Sequence, residues 1–292
     1  WRGWARVPYP LTPHPTILSP RDRMCTENVT NQLKEGTDGE LYSKHGLGLS
    51  LLILPAFALG GLPWVTFFLI GVGALLATNI YLLAREATGS LTPALLTWLA
   101  FALTVPFLPY SFLIFPELPA ALLVVYAFRR IRLGGNNSLQ TVGIGACMAF
   151  LPWLHYRFVP VCAALALYYI YQEWRSRSRR RAMNLVTVLG MSAGSAALLM
   201  SYFYGRSGSV LPSAGDHAGI SDAAGTARGI VGLLLDEQWG LFIAAPIFIL
   251  SIVGVIMMLR MRRWRKDMLW AGLVFVPYYF VIANYAQWWG EW

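Results

Sequence analysis

Four short stretches of this sequence gather residue types that do chemistry where an apolar surrounding meets water. Glu117 stands in Phe115-Pro116-Glu117-Leu118-Pro119, where proline sets a turn and an acid suits the first turn of a helix. A carboxylate held there can accept a proton, coordinate a cation or bind a sugar hydroxyl; it also reads as an ordinary helix start. Lys44 and His45 follow Tyr42 in Tyr42-Ser43-Lys44-His45-Gly46, just ahead of an apolar stretch. They read either as a snorkelling cation with its neighbour or as a phosphate-binding pair, with Gly46 and Gly48 permitting close backbone approach. His155 and Arg157 share the short turn Trp153-Leu154-His155-Tyr156-Arg157. Interfacial anchoring explains its aromatic residues, whereas an arginine in a tight turn suits bidentate phosphate recognition. Asp236 and Glu237 precede Gln238-Trp239-Gly240, where another apolar run begins, and read as helix-start acids or as substrate contacts.

Other candidates carry less. Asp216, His217 and Asp222 lie in a Gly, Ala and Ser-rich loop, and their spacing matches no defined metal site. Cys25, Cys147 and Cys162 have no metal or disulfide spacing, and the last two fall in apolar runs where cysteine is ordinary core material. Asn28-Val29-Thr30 is a formal glycosylation sequon of a kind that arises often by chance.

These residues need a scaffold, and composition says which kind. Of the 292 residues 57% are hydrophobic and 13% charged, with a mean hydropathy of +0.52. Soluble domains carry about 25% charged residues, so this apolar surplus needs lipid as its solvent. The reading is an all-α polytopic transmembrane helical bundle. Eight crossings are expected near residues 63–84, 91–108, 113–128, 138–153, 157–173, 184–204, 241–260 and 268–287. The formal charge of +9 does not indicate nucleic acid, because 14 of the 23 Lys and Arg sit in four short connections between apolar runs. The positive-inside rule makes those connections cytoplasmic and puts both termini outside.

The stretch 46–60 breaks this alternation if it crosses. With its length, Pro55 and three glycines, it is expected to be re-entrant or interfacial. The expected organisation is therefore an outer loop over 1–45, the re-entrant or interfacial segment 46–60 and a transmembrane domain over 61–292. That domain carries a flexible outer loop at 205–240, in which Gly229 to Leu235 form a short interfacial helix. The spans hold almost no ionisable residue at mid-depth, so the chemistry is expected at the outer surface rather than along a transport path. Trp1 opens the chain without an initiator Met and Trp292 closes it inside an aromatic cluster, so the chain reads as a fragment.

At the same stretches the sequence resembles the polyprenyl-phosphate-sugar-dependent membrane glycosyltransferases of the GT-C superfamily, and is similar to the protein O-mannosyltransferases and aminoarabinose transferases. The landmarks run in order: Tyr42 to Leu49 followed by Leu54-Pro55, Phe115 to Ala120, Leu151 to Arg157, Asp236 to Leu241 through Ala245-Pro246, and Trp288-Trp289-Gly290. The resemblance implies an inverting transferase in a bacterial inner membrane with its site facing outside. A carboxylate takes the proton of the acceptor hydroxyl while cations stabilise the departing lipid phosphate.

The polyprenyl-phosphate sugar would be the donor, and a glycan, lipid or protein the acceptor. Residue by residue, Lys44 and His45 would bind the carrier phosphate, Arg157 would assist, and Glu117 would be the second acid near the reacting centre. Some relatives use a divalent ion, for which the sequence shows no closed ligand set. The family's principal acidic motif lies after a first span, and this chain begins with neither; Asp38 and Glu40 do not match that motif. The isolated fragment is therefore expected to be inactive. His45 and Gly46 also stand where better-known members have prolines. Two other classes compete: a transporter or flippase for a lipid-linked substrate, and a non-enzymatic envelope assembly subunit.

Overall fold

A computed structural model describes residues 33–35, 39, 41–43, 46–135, 137–176, 178–210, 221–238 and 240–285. Among these residues the chain is helical apart from one antiparallel hairpin, β1 (Leu33–Glu35) against β2 (Leu41–Ser43), which sets Tyr42 opposite Lys34.

The first helix, α1 (Leu47–Thr88), is two arms joined at Gly60–Gly61. Gly61 has φ +69°, which a side chain would strain, and a Cβ on Gly60 would fall 1.9 Å from the Trp64 ring. Ala56 on the first arm shares an apolar cluster with Val65 and Leu69 on the second. A straight helix would hold Ala56 and Val65 about 13 Å apart, so the arms fold back on each other. The stretch 46–60 is thus helical from Leu47 and reverses at its terminal glycine.

The chain continues through α2 (Leu91–Ala102), α3 (Phe107–Tyr110), α4 (Glu117–Leu133), α5 (Ser138–Leu154), a 3-10 turn (Tyr156–Phe158) and α6 (Val159–Arg175). It then forms α7 (Arg181–Ser207), α8 (Ala223–Leu235), α9 (Leu241–Ala244), a second 3-10 turn (Pro246–Phe248), α10 (Ile249–Arg260) and α11 (Arg262–Ala283). Asn137 starts α5 with a capping box: its side chain accepts from Gln140 N–H at 2.9 Å, and the Gln140 side chain accepts from Asn137 N–H at 3.1 Å.

Three of these helices, α1, α7 and α11, are long and apolar enough to cross a membrane. The expectation of eight crossings is not met at that standard, for visible reasons. The run 91–108 breaks after Ala102, with Pro106 ahead of a four-residue helix, and the run 241–260 breaks at Ala245 before Pro246. Proline lacks the N–H that would continue the ladder. α4, α5 and α6 have 17 residues each and rise about 25 Å, short of a hydrocarbon core of roughly 30 Å.

The core lies among α4, α5 and α6, with α7 and α11 against it. Tyr168, Tyr169, Leu165, Ile144, Leu151 and Leu154 are almost wholly buried there. Trp270 stacks on Tyr168 with ring centroids 4.7 Å apart, which fastens α11 to α6. Trp153 Nε1 donates to Ser195 Oγ at 2.8 Å, and Ser195 Oγ donates to the Ala149 carbonyl at 2.7 Å, which fastens α7 to α5.

The arginine-rich end is tied by side chains from distant helices. Arg129 Nε donates to both carboxylate oxygens of Glu86 at 2.9 and 3.0 Å, and Arg129 Nη1 donates to Asn79 Oδ1 at 2.8 Å. Arg132 Nε donates to Asp267 Oδ2 at 2.7 Å.

The segment 205–240, expected as a flexible outer loop with a short helix over Gly229 to Leu235, is more helical than that where it is described. α7 continues to Ser207, and α8 fills 223–235 with Asp222 as its N-cap, accepting from Gly225 N–H at 2.7 Å. α8 is docked rather than free. A Cβ on Gly229 would fall 2.2 Å from the Ala283 carbonyl oxygen, so glycine lets the two backbones touch. Thr226 Oγ1 bonds Asn284 Oδ1 at 2.6 Å, and Ser221 N–H donates to the Asn284 carbonyl at 2.9 Å.

Candidate functional site

Glu117 opens α4 directly after Pro116, as an acid in the first turn. Arg157 lies in the 3-10 turn between α5 and α6. Pro152 near the end of α5 and the extended backbone at His155 (φ −166°, ψ 138°) stop that helix, and Pro160 starts the next. The reversal brings Arg157 Nη2 onto Glu117 Oε1, where it donates a hydrogen bond across 40 residues of sequence.

Both groups are shielded, with 6% of the Arg157 side chain and 28% of the Glu117 side chain exposed. Each keeps one buried atom without a hydrogen-bond partner, Glu117 Oε2 and Arg157 Nε. A buried unsatisfied charged atom is costly, so a pair left half-bonded is poised for something else to complete it.

The surroundings are aromatic. His155 is buried; its Nδ1 accepts from Arg157 N–H at 3.2 Å, and its ring lies 4.6 Å from that of Tyr156. Phe158 stacks with Tyr278 of α11 at 5.3 Å. Tyr110 and Tyr285 are close enough to share the electrostatics of the pair. Burial raises the Tyr110 hydroxyl above its ordinary value, the Glu117 carboxylate adds to the rise, and Arg157 opposes it. For Arg157, burial works against the charge, but Tyr278, Glu117 and Tyr285, with the hydrogen bond to Glu117, reverse that and hold the guanidinium above its usual value.

The structure therefore brings Glu117, His155 and Arg157 together, while the other expected site residues stand differently. Lys44 and His45 lie outside the described residues, as do Asp216 and His217. Tyr42 is on β2, described here by its backbone pairing alone. Gly46 and Gly48 do serve a close approach to protein backbone. A Cβ on Gly46 would meet Trp153 O at 2.6 Å, and one on Gly48 would meet Trp153 C at 2.4 Å. The start of α1 thus crosses the end of α5 just before His155.

Of the two readings of Asp236 and Glu237, helix-start acids or substrate contacts, the structure corrects the first. Asp236 is the C-cap of α8, and its Oδ1 accepts from Gln238 N–H at 2.9 Å in an Asx turn, with Glu237 exposed beside it. Tyr110, Tyr278 and Tyr285 were not singled out from the sequence. Tyrosine near the end of an apolar run is normal membrane-interface composition, so nothing separated these three from the rest.

For a divalent ion the fit is poor. Among the described residues no three His, Cys, Asp or Glu side chains gather as a ligand set, and the Glu117 carboxylate already faces a guanidinium, which repels a metal cation.

The fold and site define a helical protein with three helices fit to cross a membrane, bearing a half-satisfied carboxylate–guanidinium pair within electrostatic reach of three tyrosines. Comparison of the chain with protein-family models, curated proteins and solved structures gave no match.

Proposed function

We propose that this protein is a membrane glycosyltransferase that moves a sugar from a polyprenyl-phosphate carrier to a hydroxyl of a glycan, lipid or protein acceptor. The observation that carries this reading is the shielded Glu117–Arg157 pair with the buried atoms Oε2 and Nε left without partners. One group can take a proton and the other can hold an anion, which are the two needs of sugar transfer from a phosphate.

In the proposed step the acceptor oxygen attacks the anomeric carbon as its proton passes to Glu117 Oε2. The bond from that carbon to the phosphate oxygen breaks with inversion, and the bonding pair leaves on the lipid phosphate. Arg157 stabilises that charge, assisted by Lys44 and His45. The Glu117–Arg157 hydrogen bond fixes both groups before substrate arrives. The clustering of Lys and Arg in the short connections supports the extracytoplasmic side for the site, and the family resemblance supports a bacterial inner membrane. Tyr42, Asp236 and Glu237 belong to the same reading as donor or acceptor contacts carried by the family resemblance.

The test is transfer from a panel of radiolabelled polyprenyl-phosphate sugars by the protein expressed in membranes from its full-length gene, beside its Glu117→Gln, Arg157→Gln and Lys44→Ala variants. The expected result is transfer by the parent and a loss of about 10²- to 10⁴-fold in Glu117→Gln at normal membrane insertion. No transfer from donors that a control enzyme accepts overturns the reading. Lipid translocation without sugar consumption would then favour a flippase, and loss of envelope-complex assembly on deletion, with Lys44→Ala and Glu117→Ala fully functional, an assembly subunit.

A further inference from the structure

At the opposite, arginine-rich end, two cations converge on one tyrosine. Arg175, in the last turn of α6, donates from Nη1 to the Tyr171 hydroxyl oxygen at 3.0 Å. Lys266 of α11 sets its Nζ 4.8 Å from the centroid of the same ring. Nearby cations are neutralised, Arg129 by Glu86 and Arg132 by Asp267. Arg175 and Lys266 pair with no carboxylate among the described residues.

Helix dipoles account for only one of the two. A cation at the C-terminal end of α6 is favoured, but Lys266 lies near the N-terminal end of α11, where a positive charge is disfavoured.

Lys266 is nevertheless fixed in place. Its Nζ donates to Gln172 Oε1 at 2.9 Å. The Gln172 amide in turn donates to the carbonyls of Ile131 at 3.1 Å and Arg132 at 3.3 Å, at the end of α4. Trp270 supports the Tyr171 ring at 5.1 Å and stacks on Tyr168. Donors remain after these bonds. Tyr171 accepts from Arg175 and keeps its own proton to give, and an ammonium has three N–H groups, of which Gln172 takes one. Two positive groups and a hydroxyl with donors to spare are the complement of a phosphate.

The surroundings indicate which phosphate. Trp174, 73% exposed, lies under Arg181, whose Cζ is 5.4 Å from a Trp174 ring centroid, and Arg263 covers Trp264 at 5.0 Å. Exposed tryptophan with arginine beside it belongs at the headgroup level of a bilayer, where anionic lipids meet basic segments. We propose that Arg175, Lys266 and the Tyr171 hydroxyl bind the phosphate of an anionic phospholipid from the leaflet at the arginine-rich end. This site is independent of the glycosyltransferase reading.

Native mass spectrometry of the purified protein titrated with phosphatidylglycerol or phosphatidylcholine tests it. One phosphatidylglycerol per chain is expected to be retained in preference to phosphatidylcholine. Arg175→Gln with Lys266→Gln is expected to weaken it about 10- to 30-fold, and Arg179→Gln with Arg262→Gln, which removes the same charge elsewhere, by less than about 3-fold. Tyr171→Phe leaves both cations and is expected to weaken retention about 3-fold, so the proposal stays testable if the double variant misfolds. Equal loss in the two charge-matched pairs, or no preference between the lipids, overturns the site. Displacement of the lipid by inorganic phosphate at millimolar concentration overturns its assignment to a lipid.

Discussion

Among the described residues two shielded glutamate–arginine pairs are bonded in opposite ways. In Arg129–Glu86 the side chains are 12% and 22% exposed, both carboxylate oxygens accept from Arg129 Nε, and Nη1 is taken by Asn79. In Arg157–Glu117 the exposures are 6% and 28%, yet one hydrogen bond joins the pair and Oε2 and Nε stay without partners. Burial and charge type do not distinguish them. The bonding of the buried atoms does: the first pair uses both carboxylate oxygens and Nε in holding α1 to α4, whereas the second leaves Glu117 Oε2 and Arg157 Nε buried without partners. A saturated pair reads as structure, and an unsaturated one at the same depth reads as a site.

The sharpest way to break this contrast is to make the same change on both sides. Glu117→Gln is expected to lower sugar transfer by about 10²- to 10⁴-fold at unchanged folded yield. Glu86→Gln is expected to leave transfer per folded molecule within about 3-fold, because the pair it alters contacts no substrate in the proposed mechanism. If Glu86→Gln costs as much activity as Glu117→Gln, the distinction between the pairs fails. The order reverses for stability. Arg129→Met strips one partner from the saturated pair and is expected to cost roughly 3–5 kcal/mol, read as a shifted midpoint of unfolding in detergent. Arg157→Met is expected to cost less, since the pair it breaks has a single hydrogen bond.

Smaller effects sharpen the picture around the site. Gly229→Ala pushes a methyl into the Ala283 carbonyl and is expected to cost about 1–3 kcal/mol. It should also change the accessibility of a cysteine probe at Thr226 by loosening α8 from α11; an unaltered probe rate would show that α8 does not depend on this contact. Smallest is Asn137→Ala, which removes the capping box of α5 and is expected to cost about 1 kcal/mol with transfer unchanged.

Much of the helical organisation was legible in the order of apolar runs and cationic connections, because a helix that buries its surface in lipid or protein must be apolar along its length. The number of crossings was not. Length and hydropathy do not register that the chain breaks between Ala102 and Phe107 and again at Ala245. α8 was read too short for a related reason. A helix was expected only from Gly229, and the Gly and Ala residues ahead of it read as a mobile loop, whereas the helix starts at Ala223 and Gly229 is small so that it can touch Ala283. A small residue at a close contact and a small residue in a free loop are identical in sequence. Tyr278 and Tyr285 escaped notice because they lie in and just after α11, remote in sequence from Glu117 and Arg157, and Tyr110 because a tyrosine beside an apolar run is ordinary interface composition.

By itself the sequence determined an apolar helical chain with its cations in short connections, and it singled out Glu117, His155 and Arg157 as groups capable of chemistry. Only the tertiary structure decided which charges meet. Glu117 and Arg157 are 40 residues apart, Glu86 and Arg129 43, and Arg132 and Asp267 135. Nothing in those separations distinguishes a pair with every acceptor used from one with an oxygen left over. Pairing depends on how closely two helices approach and on how their side chains face one another, and those follow from packing across the bundle rather than from position along the chain.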